Sequence, residues 1–309
     1  MAVIGAGITG VTTAHLLKQE GKTVALLETN RVGYGATGYT TAKLTVGHSL
    51  VYADLTDSFG VETARRYARS NHEAIKKVSE IVREHDIECD FEEADNYVYT
   101  ESGESVREIE RELDAAQAAG VAAELTTDTD LPYDVAAAIK IPGQAQFHPW
   151  KYLAALARGV EGDGSHVFEE TRATNVRSGT PCLVEADGGR IQSRHVVVAT
   201  QLPFLDRGLF FTKAHPMTSY VVAARIGEDG APRGMYISVD QPTRSVRSAA
   251  SDAGSRILIV GGEGHKPGDE PDTNRRYERL ERFMGERFGV GKAEYRWSTH
   301  DYSAVDKLP

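Results

Sequence analysis

The sequence predicts a mixed α/β protein in which a Rossmann-type nucleotide-binding domain is interleaved with a mostly antiparallel β-sheet domain. Three observations carry that prediction. The chain opens with a short strand, the turn Gly5-Ala6-Gly7-Ile8-Thr9-Gly10 and an apolar-periodic stretch, the order in which a βαβ unit begins. From 166 to 260 the pattern changes to short β segments broken by glycine, proline and aspartate, a density that favours antiparallel pairing. No repeat or low-complexity linker divides the two patterns, so the domains alternate along the chain. The reading assigns residues 1–88, 140–205 and 254–309 to the nucleotide domain, and 89–139 and 206–253 to the sheet domain.

The elements follow in order. Val3 and Ile4 read as strand, and the stretch through Leu16 and Leu17 reads as a helix stopped by Gly21. A second strand, Val24 to Leu27, ends in Glu28. Ala64, Tyr67, Ala68, Ile75, Val78 and Val82 recur at helical spacing over 61–85. A strand at 97–100 and a charged helix over 104–119, ended by Gly120, come next, then a turn after Pro142. Pro149 suits the first turn of a helix reaching about Gly159. A hairpin joins 182–186 to a strand from 190 across Asp187-Gly188-Gly189, and Val196 to Ala199 reads as a buried strand. Strands at 219–225, 234–239, 244–249 and 256–260 precede a final helix over 273–288, with Tyr277, Leu280, Met284 and Phe288 on one face.

Composition narrows the class. Of the 309 residues 40% are hydrophobic and 26% charged, which excludes a disordered or collagen-like chain. A formal charge of −10 argues against a surface built for nucleic acid or anionic lipid. No apolar run approaches the roughly 18 residues of a membrane span, and with Met1 leading within a residue or two into a strand no secretory leader is expected; the cytoplasm is the expected location. Cys89 and Cys182 stand far apart without CxxC or Cys/His ligand spacing, so neither a disulfide framework nor a metal site is expected, and both thiols are expected to be buried.

A GxGxxG match alone is weak, but here it follows a strand, opens a helix and has Glu28 eighteen positions after Gly10, close to the ~20 at which an acid reaches a ribose. Gly5 makes the tight turn, Gly7 lets backbone approach a pyrophosphate, and Gly10 lets the helix pack on the sheet. Ile8 and Thr9 belong to the helix N-terminus that would receive the phosphates. The motif fits NAD or FAD. A second run of glycines, hydroxyls and a cation, from Arg31 to Thr45, is what a longer cofactor needs beyond its pyrophosphate, and it selects FAD.

The blocks VIGAGITG (3–10), LLE (26–28), GATGYTTAKLT (35–45), FHPWKYL (147–153), VVVAT (196–200), LIVGGEGHKPG (258–268) and RWSTHDYSAVDKLP (296–309) resemble FAD-dependent oxidoreductases of the D-amino-acid oxidase and glycine oxidase superfamily. The TTAK and GGEGHKPG blocks resemble the bacterial branch that carries a C-terminal Rieske [2Fe–2S] domain. The resemblance implies that Glu28 holds the adenosine ribose, with Thr29 also at the cofactor and Arg31 and Thr37 along the adenosine and pyrophosphate. It implies that Thr41, Ala42, Lys43, Leu44 and Thr45 run beside the flavin ring, and that Val176 meets adenine through its backbone. Ala199 and Thr200 would close over the cofactor, and Gly261 and Gly262 would let backbone approach the isoalloxazine. Two departures stand out. Members of the branch continue past the DxxP of Asp306 and Pro309 into a glycine and a helix, and a Rieske centre needs two Cys and two His in its appended domain, a constellation that does not occur in this sequence. The expectation is a fragment or a trimmed relative.

The chemistry implied is oxidation of a C–N or similar C–H bond in a small amine, amino acid or related substrate, by hydride transfer to flavin N5. Electrons would pass to oxygen or to a protein acceptor. Lys43 is the candidate cation near flavin N1, His48 could face the ring or attach to it, and Tyr220 is a candidate in the sheet. His215, Tyr236, Arg244 and Arg247 are further candidate substrate contacts in the β domain, since a carboxylate suits an Arg fork with a Tyr hydroxyl. Trp297 and Asp301 would line the flavin side, and His265 and Lys266 would hold a loop beside the cofactor. Two other readings stay open: a flavin monooxygenase or dehydrogenase of another subgroup, for which no second GxGxxG provides an NAD(P)H site, and a truncated FAD-binding chain without turnover.

Overall fold

The computed structural model describes residues 1–205, 207–251, 254–269 and 272–305. Its strands are β1 (Ala2–Ile4), β2 (Ala25–Leu27), β3 (Lys43–Leu44), β4 (Glu92–Thr100), β5 (Glu124–Thr126), β6 (Ala137–Gln146), β7 (His166–Phe168), β8 (Ala173–Arg177), β9 (Cys182–Ala186), β10 (Gly189–Ser193), β11 (Val196–Val198), β12 (Ala214–Gly227), β13 (Met235–Ser238), β14 (Arg244–Ala250), β15 (Ser255–His265) and β16 (Tyr295–Ala304). The helices are α1 (Ile8–Gln19), α2 (Val51–Phe59), α3 (Val61–Glu84), α4 (Val106–Ala118), α5 (Pro149–Val160) and α6 (Asn274–Phe288).

β11, β1, β2 and β7 form a parallel sheet in that order. Central β1 is wholly buried, so its three residues are all apolar. Val3 and Leu26 pack under α1 and α5 with Val11, Ala14, Leu153 and Leu156. On the other face Ile4 and Leu27 meet Val176 and Val184 of the small antiparallel sheet β10-β9-β8. β11 is half-buried rather than buried, because it lies at the sheet edge. Gly21 ends α1 as expected, with φ +70° and its N–H on Lys18 O at 2.9 Å.

The second sheet runs β16-β12-β15-β14-β13-β4-β6-β3, with β5 also on β6. All its pairs are antiparallel except β13 with β4. β15 and β16 come from the segment 254–309, yet they pair inside this sheet with β12. Where the sequence predicts only a turn near Pro142, the chain forms β6. It runs on because its pairing with β4 shifts register between Ala94 and Asn96, opposite exposed Pro142 and Gly143, the bulge position where a strand tolerates proline. One face of the sheet packs on α6, through Val222, Val246, Leu258, Leu280 and Met284. On the other, Val98, Ile139 and Ile141 meet α2, α3 and α4, and Val221, Ala223 and Ile259 form a small cluster with Trp297. Among the described residues no helix is long and apolar enough to cross a membrane. Cys89 is buried, but Cys182 is only half-buried, since its strand lies in a three-stranded surface sheet.

α2 carries no sequence signal at its start, because its cap is not local. Glu112 of α4 accepts the Tyr52 and Ala53 N–H groups at 2.8 and 2.7 Å, which satisfies donors that a helix N-terminus leaves open. Burial pushes the Glu112 carboxyl up to about 7, against the pull of those two hydrogen bonds. The folded state therefore holds a proton there that the unfolded chain gives up near pH 4.5, and stability falls as pH rises from 4.5 to 7. Glu112→Ala is expected to cost about 1–3 kcal/mol at pH 5, and Glu112→Gln to flatten that slope; urea melts at pH 5 and pH 7 measure both.

Candidate active site

The parallel sheet ends in a cavity of about 760 Å³ at the carboxyl ends of β1 and β2, the place where α/β sheets take ligands. Gly5, Gly7, Ile8, Thr9, Glu28, Thr29, Thr37, Ala199 and Thr200 all line it. Gly5 has φ +99°, and a Cβ there would lie 2.4 Å from Ala199 O. A Cβ on Gly10 would lie 1.8 Å from Gly5 O. Gly10 is therefore fixed by backbone packing, while at Gly7 a Cβ would meet only Thr37 Oγ1 within 4 Å, at 3.1 Å. Gly7 is the N-cap of α1 and offers no side-chain cap, and the first turn holds no acid. Its N–H groups thus remain for an anion, apart from that of Ile8, which donates to Thr37 Oγ1 at 3.0 Å. Glu28 accepts from Ala6 N at 2.8 Å and Asn30 N at 2.9 Å, so the acid braces the glycine turn as well as facing the cavity.

Two residues expected at the nucleotide, Arg31 and Val176, are not among those lining the cavity. Arg31 is exposed and faces Glu170 at 3.9 Å. Val176 is buried in the core under the parallel sheet, and Arg172, Ala173 and Thr174 supply the lining from that segment. Tyr34, Gly35 and Gln201 also line the cavity. Short sequence distance from the fingerprint could have flagged the first two.

The residues expected beside the flavin form a second group. Thr41 is half-buried, Ala42 is buried with φ +52°, and Lys43 and Leu44 pair with Gln146 and Ala145. Buried Thr45 accepts the Gly47 N–H at 2.9 Å. Lys43 is half-buried along its length with an enclosed ammonium, which donates to Tyr236 O at 2.8 Å and Ser245 Oγ at 2.6 Å. Burial, with the nearby Arg247 charge, brings its pKa down to about 7. Gly261 is the cross-strand partner of Ser245 and lies on the same face as Lys43. Gly262 turns the other way, where a Cβ would meet Thr243 O at 2.4 Å. His48 is open to solvent on one side, with Tyr67 Oη 2.7 Å from its Nδ1. Loss of hydration first, then Lys43, lowers its pKa. From sequence alone Tyr67 carries only a helix-packing signal, and its contact with His48 comes from the fold.

The strand pleat separates the sheet candidates. Arg247 follows Ser245 by two residues and shares its face. It is 5% exposed, Nη1 donates to Gln146 Oε1 at 3.1 Å, and Nε is buried without a hydrogen-bond partner. Burial brings this guanidinium down to about 10. Tyr220, Tyr236 and Arg244 instead belong to the α6 face. Tyr220 stacks on His265, with Oη 3.0 Å from its Nε2, Tyr236 hydrogen-bonds Asp130, and Arg244 pairs with Glu263 at 2.6 Å. Tyr220 and Lys43 thus lie on opposite faces of one sheet, and His265 goes with Tyr220. His215 is exposed on β12, opposite Ser303. Trp297 is on the Lys43 face, with Nε1 on Tyr39 O at 2.9 Å, whereas Asp301 is exposed. Asp306 and Pro309 lie outside the described residues.

A parallel sheet with a glycine cradle and an acid brace, set beside a large sheet that presents buried cations, defines a dinucleotide-dependent α/β protein. The chain belongs to the FAD dependent oxidoreductase family DAO, whose sequence model matches residues 1–309, and its cofactor is FAD. It is 35% identical over its full length to YhfW of Bacillus subtilis (strain 168), a protein whose name describes a Rieske 2Fe-2S iron-sulfur protein, and spans 61% of that relative. It is 23% identical, again over its full length, to the gamma-glutamylputrescine oxidoreductase of Escherichia coli (strain K12), spanning 75% of it. The crystal structure of glycine oxidase from Geobacillus kaustophilus superposes with a TM-score of 0.76 over all of this chain and 84% of that one, at 16% identity.

Proposed function

We propose that this protein oxidises a small amine or amino acid bearing a carboxylate, with the substrate bound on the Lys43 face of the large sheet. The observation that carries the reading is Arg247: a buried cation with an unpartnered Nε, on the same face as the Lys43 ammonium. Glu92, the carboxylate whose charge reaches Arg247, is itself paired with Arg256 at 2.8 Å, and a buried donor without a partner is costly; a substrate carboxylate would supply both charge and the missing acceptor. Bound FAD supplies the hydride acceptor. The chain's own part is orientation: Arg247 would hold the carboxylate, and Lys43, with its pKa near 7, would hold or release a proton at Nζ under working conditions. The names of the glycine oxidase and the gamma-glutamylputrescine oxidoreductase support an amine-type substrate, and the iron-sulfur name of YhfW supports a protein electron acceptor over oxygen.

Anaerobic mixing of the FAD-loaded protein with a panel of amines, amino acids and their decarboxylated analogues tests this. Flavin absorbance is expected to bleach with a carboxylate-bearing amine, and about 100-fold more slowly or less with its decarboxylated analogue, because the buried Arg247 Nε is then left without an acceptor. Equal bleaching by both, or reduction by NAD(P)H alone, overturns the proposal.

A further inference from the structure

We infer that His15, Gln19 and His85 form a site for one first-row divalent metal ion of the zinc, copper or nickel type. His15 and Gln19 stand four residues apart on α1 and so share a helix face; His85 is the C-cap residue of α3. His15 Nε2 and His85 Nε2 face each other at 3.1 Å, and the Gln19 amide lies 2.7 Å from the same His85 nitrogen. An imidazole Nε2 offers one lone pair or one proton. At His85 that single position is shared between two neighbours, an arrangement that serves neither fully.

A cation resolves the conflict. Two nitrogens at about 2.0–2.1 Å from tetrahedral zinc lie about 3.3 Å apart, so the observed nitrogens open by about 0.2 Å and the two rings, with centroids at 4.6 Å, tilt apart until both lone pairs point at the ion. A half-turn of the Gln19 amide presents its oxygen as a third donor, leaving a fourth position for water. The approach is open, since Gln19 and His85 are exposed, and His85 borders a surface cavity of about 810 Å³ beside Asp86 and Glu88. Behind the buried ring, a Cβ on Gly159 would sit 3.4 Å from His15 Nδ1, so α5 backs the ring closely and limits its rotation. The described residues contain no group of three or more His, Cys, Asp or Glu suited to a metal. Here the third donor is an amide and the two histidines are 70 positions apart, which hides the site from ligand-spacing rules. A bound ion would tie the C-terminal end of α1, whose other end faces the nucleotide cavity, to the end of α3.

Zinc chloride titrated into the chelator-treated, FAD-loaded full chain tests this by calorimetry and thermal melting. One zinc per chain and a raised Tm are expected. His85→Ala, at an exposed position, should keep the FAD content and the metal-free Tm while weakening zinc binding by more than the roughly 10–100-fold that loss of an outer-shell partner costs. Gln19→Glu, which supplies an anionic oxygen, should tighten it. Absence of a saturable zinc site, equal affinity in His85→Ala, or unchanged affinity in Gln19→Glu overturns the inference.

Discussion

Gly10→Ala is expected to lower FAD affinity at least about 100-fold, and to leave the purified protein largely colourless. The added Cβ would sit 1.8 Å from Gly5 O. That atom belongs to backbone, and Gly5 itself cannot retreat, because its own Cβ position lies 2.4 Å from Ala199 O. Helix α1 must therefore move off the turn, and the free N–H groups of its first turn, such as that of Thr9, move with it. Overpacking of this kind costs about 1–3 kcal/mol or more, and each 1.4 kcal/mol is tenfold in binding. Gly21→Ala is the control. It has φ +70° and nothing within 4 Å of its Cβ, so it should cost roughly 1–2 kcal/mol of stability with FAD affinity unchanged. The flavin-to-protein absorbance ratio and FAD titration read both. Wild-type FAD binding by Gly10→Ala would remove the glycine turn from the cofactor site.

Arg247→Met is expected to lower the second-order rate of flavin reduction by the carboxylate-bearing substrate by about 100- to 1,000-fold, with the flavin spectrum intact. Truncating one partner of a buried hydrogen-bonded charge pair costs 2–5 kcal/mol or more. The fold should survive, because the Arg247 guanidinium is held by a hydrogen bond to Gln146, and a buried charge replaced by an apolar side chain of similar volume is often neutral or stabilising. The pH profile supplies a readout that a packing role would not move. Arg247 helps to lower the Lys43 pKa, so its removal should shift the limb set by Lys43 from near pH 7 to higher pH. An unshifted profile with an unchanged rate would return Arg247 to the sheet core as a structural residue.

Much of the nucleotide half is legible in the sequence because its constraints are local. The glycine turn, the strand on either side of it and Glu28 fall within the first 28 residues, and each is forced by backbone contact or by the short reach of an acid. The start of α2 is not legible, because the group that caps it, Glu112, is about 60 positions away. β6 is obscured by Pro142, which reads as a stop until a bulge is seen to accommodate it. Tyr67 carries a helix-packing signal, and only the fold places its hydroxyl on His48.

The sequence by itself determined the family, the FAD cofactor, the cradle at Gly5, Gly7 and Gly10, and Lys43 and Arg247 as cations worth attention. Only the tertiary structure decided which candidates face one another. Arg244 and Arg247, three residues apart, fall on opposite faces of β14 because alternate side chains of a strand point opposite ways. Tyr220 and Tyr236 went with Arg244 to the α6 face, while Ser245, Gly261 and Arg247 stayed with Lys43. That partition depends on strand register across a sheet whose strands come from the whole length of the chain, and register is set by long-range burial.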